Sequence, residues 1–262
     1  MIFLRKDFLV DSSYSISFCV RFLSIAVTCF SFYYFSKIIP GKGNVYLSIY
    51  TQEYFPFILT GLMGVSFFNA CIGGFVSTFL REQGTGILES LLTAPISLAR
   101  LTASMMFYNL LMGLTATLFY VFLGVVFFKA SLMIHIASVG IIIFLSMMCF
   151  LPMGLIVTAT LITFKRGDPL TWLLSSLFWI LGGLYYPISI FPSFLQTIAS
   201  WLPSTYVLKA LRLALLKGYS PSMLKEELVI LTIFAGALSL AGIWIFHRAI
   251  RWSQKTGSII LP

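Results

Sequence analysis

Six long apolar runs, beginning near Ile16, Phe55, Leu101, Ile136, Leu170 and Leu228, are parted by short polar or Pro/Gly-rich breaks. That succession constrains the chain more than any motif in it. A helix needs roughly 20 apolar residues to cross a bilayer, and within the hydrocarbon its backbone N–H and C=O groups must satisfy one another. Only 10% of the 262 residues are charged and 59% are hydrophobic, whereas soluble domains carry about a quarter charged residues. The pattern predicts an all-α integral membrane protein with six transmembrane helices, at about 16–39, 55–80, 101–128, 136–164, 170–186 and 228–246. No linker, low-complexity tract or internal repeat divides it, so residues 1–262 are read as one transmembrane domain.

The net charge of +9 follows topology and does not point to nucleic acid, because the basic residues lie between apolar runs and at the ends. Arg5, Lys6, Arg21, Arg81, Arg100, Lys165, Arg166, Arg248, Arg251 and Lys255 fall on one side of the proposed crossings, against Lys37, Lys42 and Lys129 at the two short turns on the other. The positive-inside rule then puts both termini in the cytoplasm. Lys209, Arg212, Lys217 and Lys225 run against this count and are expected at headgroup depth on the outside. Residues 1–14 alternate apolar and charged side chains and are too short to span, so they predict an interfacial helix. Asp7 and Asp11 stand where a signal peptide has its apolar centre, and no cleavage is expected.

Reactive chemistry is hard to find. There is no GxxxxGK[ST] loop to cradle phosphates, no HExxH and no GxSxG. Cys19, Cys29, Cys71 and Cys149 are scattered through apolar runs without ligand spacing, and only two histidines exist. No catalytic, cofactor-binding or metal site is expected. No acid–base relay crosses the spans either, which argues against proton-coupled transport. Asn69 and Asn109 are amides deep in the spans, suited to interhelical hydrogen bonds or to contact with a transported molecule.

The polar interruption at residues 81–97, REQGTGILESLLTAPIS, is more specific. Arg81 and Glu82 are charged, and Gly84 loosens the backbone. Thr85 is placed to cap a helix whose first turn holds Glu89, and Pro95 stops it. Leu88, Leu91 and Leu92 make one apolar face, which lipid, another loop or a partner protein could cover. As an ordered string this stretch resembles the coupling segment of ABC-2 type transporter permeases. A second stretch, GGLYYPISIFPSFLQTIASWLPSTYVLKALR, resembles the last external segment of that family, where a Gly-aromatic-Pro turn precedes a Pro-initiated helix ending in Arg. Gly183, Tyr186, Pro187, Pro192, Pro203 and Arg212 carry that match. The apolar spacing after Pro192 and Pro203 predicts a re-entrant helical hairpin over 188–217, between spans five and six.

The resemblance implies the transmembrane permease subunit of an ATP-driven ABC exporter in the cell membrane, in a prokaryotic plasma or inner membrane. It implies a second permease copy, identical or a paralogue, and a separate cytoplasmic ABC ATPase that binds ATP and Mg and docks on residues 81–97 between spans two and three. The substrate is expected to be hydrophobic or amphipathic, drug-like or lipid-like. A polysaccharide or lipid-linked glycan is the alternative within the family. The residues alone also suit a secondary carrier or a membrane scaffold that needs no ATPase.

Overall fold

The computed structural model describes residues 15–38, 47, 49–51, 53–84, 98–164 and 168–256, and among them there is no strand. The interfacial stretch 1–14 and most of the coupling segment, with Thr85, Leu88, Glu89, Leu91, Leu92 and Pro95, lie outside the described residues. The helices are α1 (Ser15–Ile38), α2 (Tyr54–Asn69), α3 (Phe75–Gly84), α4 (Leu98–Phe122), α5 (Ile136–Phe164), α6 (Asp168–Leu181), α7 (Ser193–Ser200), α8 (Pro203–Leu216) and α9 (Lys225–Thr256). Two wide π-helical turns interrupt the runs without ending them: Ala70–Gly74 joins α2 to α3, and Leu123–Phe127 extends α4.

Five stretches are long and apolar enough to cross a membrane: Cys19–Ile38, Tyr54–Glu82, Thr102–Phe127, Ile136–Phe164 and Lys225–Ser253. The fifth run differs from expectation. It forms only the 14-residue α6, about 21 Å of rise where a crossing needs about 30 Å. The helix stops because the chain turns at Gly182 and Gly183, the latter at φ +80°, so Tyr185 and Tyr186 belong to an irregular turn. Two further boundaries move. Arg81, Glu82 and Gly84 are the last turn of α3, still helical, rather than loop. The last helix is longer than the span expected at 228–246: after a separate turn at Ser220 and Pro221, with Met223 N–H on the Ser220 carbonyl, α9 begins at Lys225 and runs past Arg248 and Arg251 to Thr256.

Three apolar clusters stack along the bundle. At one end Phe75, Phe79, Met105, Ile162 and Phe246 meet; in the middle Phe68, Cys71, Phe150, Phe178 and Leu231; at the other end Phe57, Leu59, Tyr120, Ile142, Leu211 and Leu215. The antiparallel order follows from these partners. Arg81, the end of α5 and the basic end of α9 share the first end, whereas α7, α8 and the start of α9 belong to the other.

The contact between α5 and α9 is the largest between any two helices. Pro152 sits inside α5 and has no N–H to donate to the carbonyl of Met148. Ser239 of α9 donates its hydroxyl to that carbonyl at 3.2 Å. Gly242 lies one turn further along α9, where an added Cβ would come within 2.7 Å of the Pro152 carbonyl oxygen. A small residue and a hydroxyl thus let α9 lie against the kinked face of α5, the packing expected where lipid offers no hydrophobic drive.

Candidate functional site

Two arrangements of polar residues stand out in this apolar bundle, one at the end where α7 and α8 lie and one along its side. The first is built on α8. Pro203 starts this helix with a ready-made φ, and 12 of its 14 residues are buried, Arg212 among them at 3% exposure. The expectation that Arg212 lies at headgroup depth is therefore corrected: the guanidinium points into the bundle. Its Nη2 donates to the carbonyls of Gly183 at 2.7 Å and Leu184 at 3.0 Å. Its charged carbon lies 3.6 Å from the centre of the Phe57 ring and 5.8 Å from that of Tyr50. No carboxylate reaches it among the described residues, so carbonyl dipoles and ring faces stabilise the charge instead.

The next carbonyl of the same turn, that of Tyr185, accepts from the Tyr54 hydroxyl at 3.1 Å. Three successive carbonyls are thereby held by side chains from α8 and α2. Gly61 makes room for them, since a Cβ there would lie 2.8 Å from the Leu184 oxygen and 3.3 Å from Arg212 Nη2. Gly183 takes its positive φ to present the carbonyls, Pro187 is buried, and Tyr186 and Pro192 are exposed. Thr205 of α8 donates to the Ala199 carbonyl at 2.7 Å and ties α7 to α8. Lys209 pairs with Glu227 of α9 at 2.8 Å.

The second arrangement is a cleft of about 640 Å³ between α1, the α2–α3 helix and α4, reaching the turn after α6. Arg81 lines one end, and Arg21, whose neighbour Phe22 packs edge-on against Phe119, lies further along. Ser24, Thr28, Ser66, Asn69, Ser77 and Thr78 follow along it, and Phe32, Tyr120, Trp179, Leu184 and Tyr185 line the other end. Among the described residues no carboxylate lines it. Glu82 is beside Arg81 at 4.0 Å but is buried away from the cleft.

Asn69 and Asn109 both face this cleft, in different ways. Asn109 donates Nδ2 to Thr78 Oγ1 at 3.0 Å and to the Met105 carbonyl at 3.0 Å, a cross-link between α4 and α3. Gly74 permits that approach, because a Cβ there would be 2.6 Å from Asn109 Oδ1. Asn69 is exposed to the cleft, with no hydrogen bond among the described residues. The wide turn Ala70–Gly74 is packed on both sides: Gly113 of α4 approaches Ala70, and Gly154 of α5 approaches the Cys71 carbonyl.

Of the residues singled out in the sequence, the structure brings together Gly183 and Arg212 at one end, and it places Arg81 and Glu82 at the opposite end. Sequence reading missed Tyr54, Phe57 and Gly61, the partners of the Arg212 turn, and it missed Arg21, Ser66, Ser77 and Thr78 as one lining. A signal for the latter existed in the recurrence of small hydroxyls on α1 and α2–α3, but each is individually commonplace in a membrane helix, where it bonds its own backbone as Ser24, Thr28 and Ser77 do.

The chain was compared with known proteins. No curated protein matches it. The sequence profile of the family described as ABC-2 type transporter matches residues 4–216, which takes in the cleft-lining helices, the segment at 81–97 and the Arg212 turn. Members of that family are the membrane components of ABC transporters, work with a separate cytoplasmic ATPase and dimerise. The chain belongs to the ABC-2 type transporter family: it is a multi-pass membrane protein and the permease component of an ABC transporter.

Proposed function

We propose that this permease exports hydrophobic or amphipathic molecules from the cytoplasm or the inner leaflet, and that the cleft between α1, α2–α3 and α4 is one half of the path. The observation that carries this reading is the cleft itself. Polar side chains from three helices line one continuous depression in a protein whose remaining exposed helix faces are largely apolar. Lipid gives such a lining nothing to bond, so a second permease copy facing it would enclose a wet path between the two.

In this reading the end with Arg81 and the basic part of α9 is cytoplasmic, and both chain termini lie there. Although α6 is short, it and the turn after it carry the chain back to the outer end, as the fifth of six passages. The segment 85–97 continues from α3 and docks the ATPase, so a push there arrives first at Arg81 and Ser77 on the cleft wall. At the far end α7 and α8 form the re-entrant hairpin, and the Gly183–Tyr185 turn closes the path from outside. Family membership leaves a carrier or scaffold without an ATPase little support.

Cysteine at Asn69 tests the reading. An impermeant thiol reagent is expected to reach Asn69→Cys in one nucleotide state of the ATPase and not in the other, and modification is expected to stop export. A modified protein that transports normally would remove the cleft from the path.

A further inference from the structure

The two halves of α9 diverge at its basic end. Phe246, Ala249 and Ile250 are buried in the cluster that holds Phe75, Phe79 and Ile162. The opposite half carries His247, Arg248, Arg251 and Lys255 beside Trp244 and Trp252, and with Leu240 and Ile243 these line a depression of about 680 Å³. Trp244 is 64% exposed and Trp252 45%. At about 100° per residue, Arg248, Arg251 and Lys255 fall within about 60° of arc, and Trp244, one turn before Arg248, falls inside the same arc. Nothing neutralises them. The chain has no Asp or Glu after Glu227, and among the described residues no carboxylate pairs with any of the three.

Depth adds a second constraint. From Leu228 to Phe246 the helix rises about 27 Å, close to the thickness of a bilayer's hydrocarbon core. Arg248, Arg251 and Lys255 then stand at headgroup level at one membrane surface, with Trp244 at the boundary and Leu240 and Ile243 within the acyl region. Topology is satisfied by basic residues anywhere on the exposed half of the helix. Their gathering on one strip, directly above an aromatic ring and an apolar track, is the shape of a single lipid: charge at the top and hydrocarbon below.

We propose that this strip of α9 holds one anionic phospholipid of the adjoining leaflet, its phosphate between Arg248 and Arg251 and an acyl chain running past Trp244 along Leu240 and Ile243. The Arg248 guanidinium carbon lies 5.7 Å from the centre of the Trp244 ring, a contact that steadies the group without consuming its N–H donors. Guanidinium forks bind phosphate oxygens in pairs, and Lys255 adds a third positive charge to the same surface. A zwitterionic headgroup would bring its own cation into this cluster, and inorganic phosphate has nothing to place on the apolar track. The site lies apart from the cleft, and the proposal depends neither on the transport path nor on which end of the bundle is cytoplasmic.

The test is a lipid titration of the full-length permease with its ATPase, followed by native mass spectrometry, with phosphatidylglycerol and phosphatidylcholine of identical acyl chains as probes. One phosphatidylglycerol per permease copy is expected to be retained at concentrations about tenfold lower than phosphatidylcholine, the factor that one charge-assisted contact supplies. Arg248→Gln and Arg251→Gln are each expected to remove most of that preference, and Arg251→Lys to keep part of it. Lys225→Gln, which removes a charge from the far end of the same helix, is expected to leave it unchanged. Equal retention of the two lipids by the parent overturns the proposal, whether the strip is then covered by other residues of this chain, by the second permease copy or by zwitterionic lipid. Equal loss of preference in Lys225→Gln and Arg251→Gln overturns it as well, because attraction to net charge would then replace a site.

Discussion

Ser239 donates its hydroxyl to the Met148 carbonyl across the α5–α9 contact, replacing the helical donor that Pro152 cannot provide. The proline and the serine are therefore one unit, although 87 residues separate them (239 − 152 = 87). Ser239→Ala is expected to cost about 0.6 kcal/mol, the average for a hydrogen bond between membrane helices. In a Pro152→Ala background the same change is expected to cost almost nothing, because residue 152 then supplies its own N–H and keeps the Cβ that faces Gly242. Equilibrium unfolding of the four proteins in detergent measures the coupling, and strictly additive effects would show that the hydroxyl does not serve the freed carbonyl.

Arg212 is the sole side chain bonded to the carbonyls of Gly183 and Leu184 among the described contacts. Arg212→Gln is expected to free that turn, and hydrogen exchange at residues 183–186 is expected to rise by about tenfold or more, as the loss of a charged hydrogen bond implies. Arg212→Lys should fall between, since an ammonium cannot fork to two carbonyls while lying flat on Phe57. Exchange that stays as slow as in the parent would mean that Tyr54 alone holds the turn.

Leu88→Asp and Leu91→Asp are expected to uncouple ATP hydrolysis from export while every helix inserts normally. Burying an unpaired carboxylate at a docking face costs several kcal/mol, enough to weaken the ATPase contact by orders of magnitude. Glu89→Gln separates two roles: a mild effect, below about 1 kcal/mol, fits a charge complementing its own helix dipole, and a severe one fits a pair with a basic ATPase residue. Normal co-purification of the ATPase with both leucine variants would make the segment an ordinary loop.

The proposed orientation predicts that cysteines at Gly86 and Gly167 label from the cytoplasm alone and one at Gly43 from outside alone. Labelling of Gly86→Cys from outside would reverse the molecule and with it the assignment of the docking segment.

The long helices were legible because lipid imposes length and apolarity at once, and Tyr54–Glu82 or Ile136–Phe164 answers to both. The end of α6 was less so: Tyr185 and Tyr186 prolong the apolar run, and only the positive φ of Gly183 shows that the chain has already turned. Arg212 misled for a physical reason. A lone arginine in an external segment suggests water or headgroups, but its partners are main-chain carbonyls and ring faces, which no spacing of acidic residues announces. The cleft was harder still, because no single wall residue is unusual and the pattern exists only where three helices meet.

The wide turn at Ala70–Gly74 bears on that last point. At about 100° per residue, an uninterrupted α-helix would set Ser77, Thr78 and Arg81 about 100° round the axis from Leu62, Ser66 and Asn69. One surplus residue in a π-helical turn removes that offset, and all six then look into the same cleft. Straightening that turn into plain α-helix with every residue kept would leave hydropathy and length almost unchanged, yet it would swing the arginine end of the wall about 100° out of phase with the amide end, whereas deleting the one surplus residue would keep the two in phase. The path through this protein therefore hangs on the hydrogen-bond register of one turn, and losing that wide turn would sever it more cleanly than any replacement of a side chain that lines it.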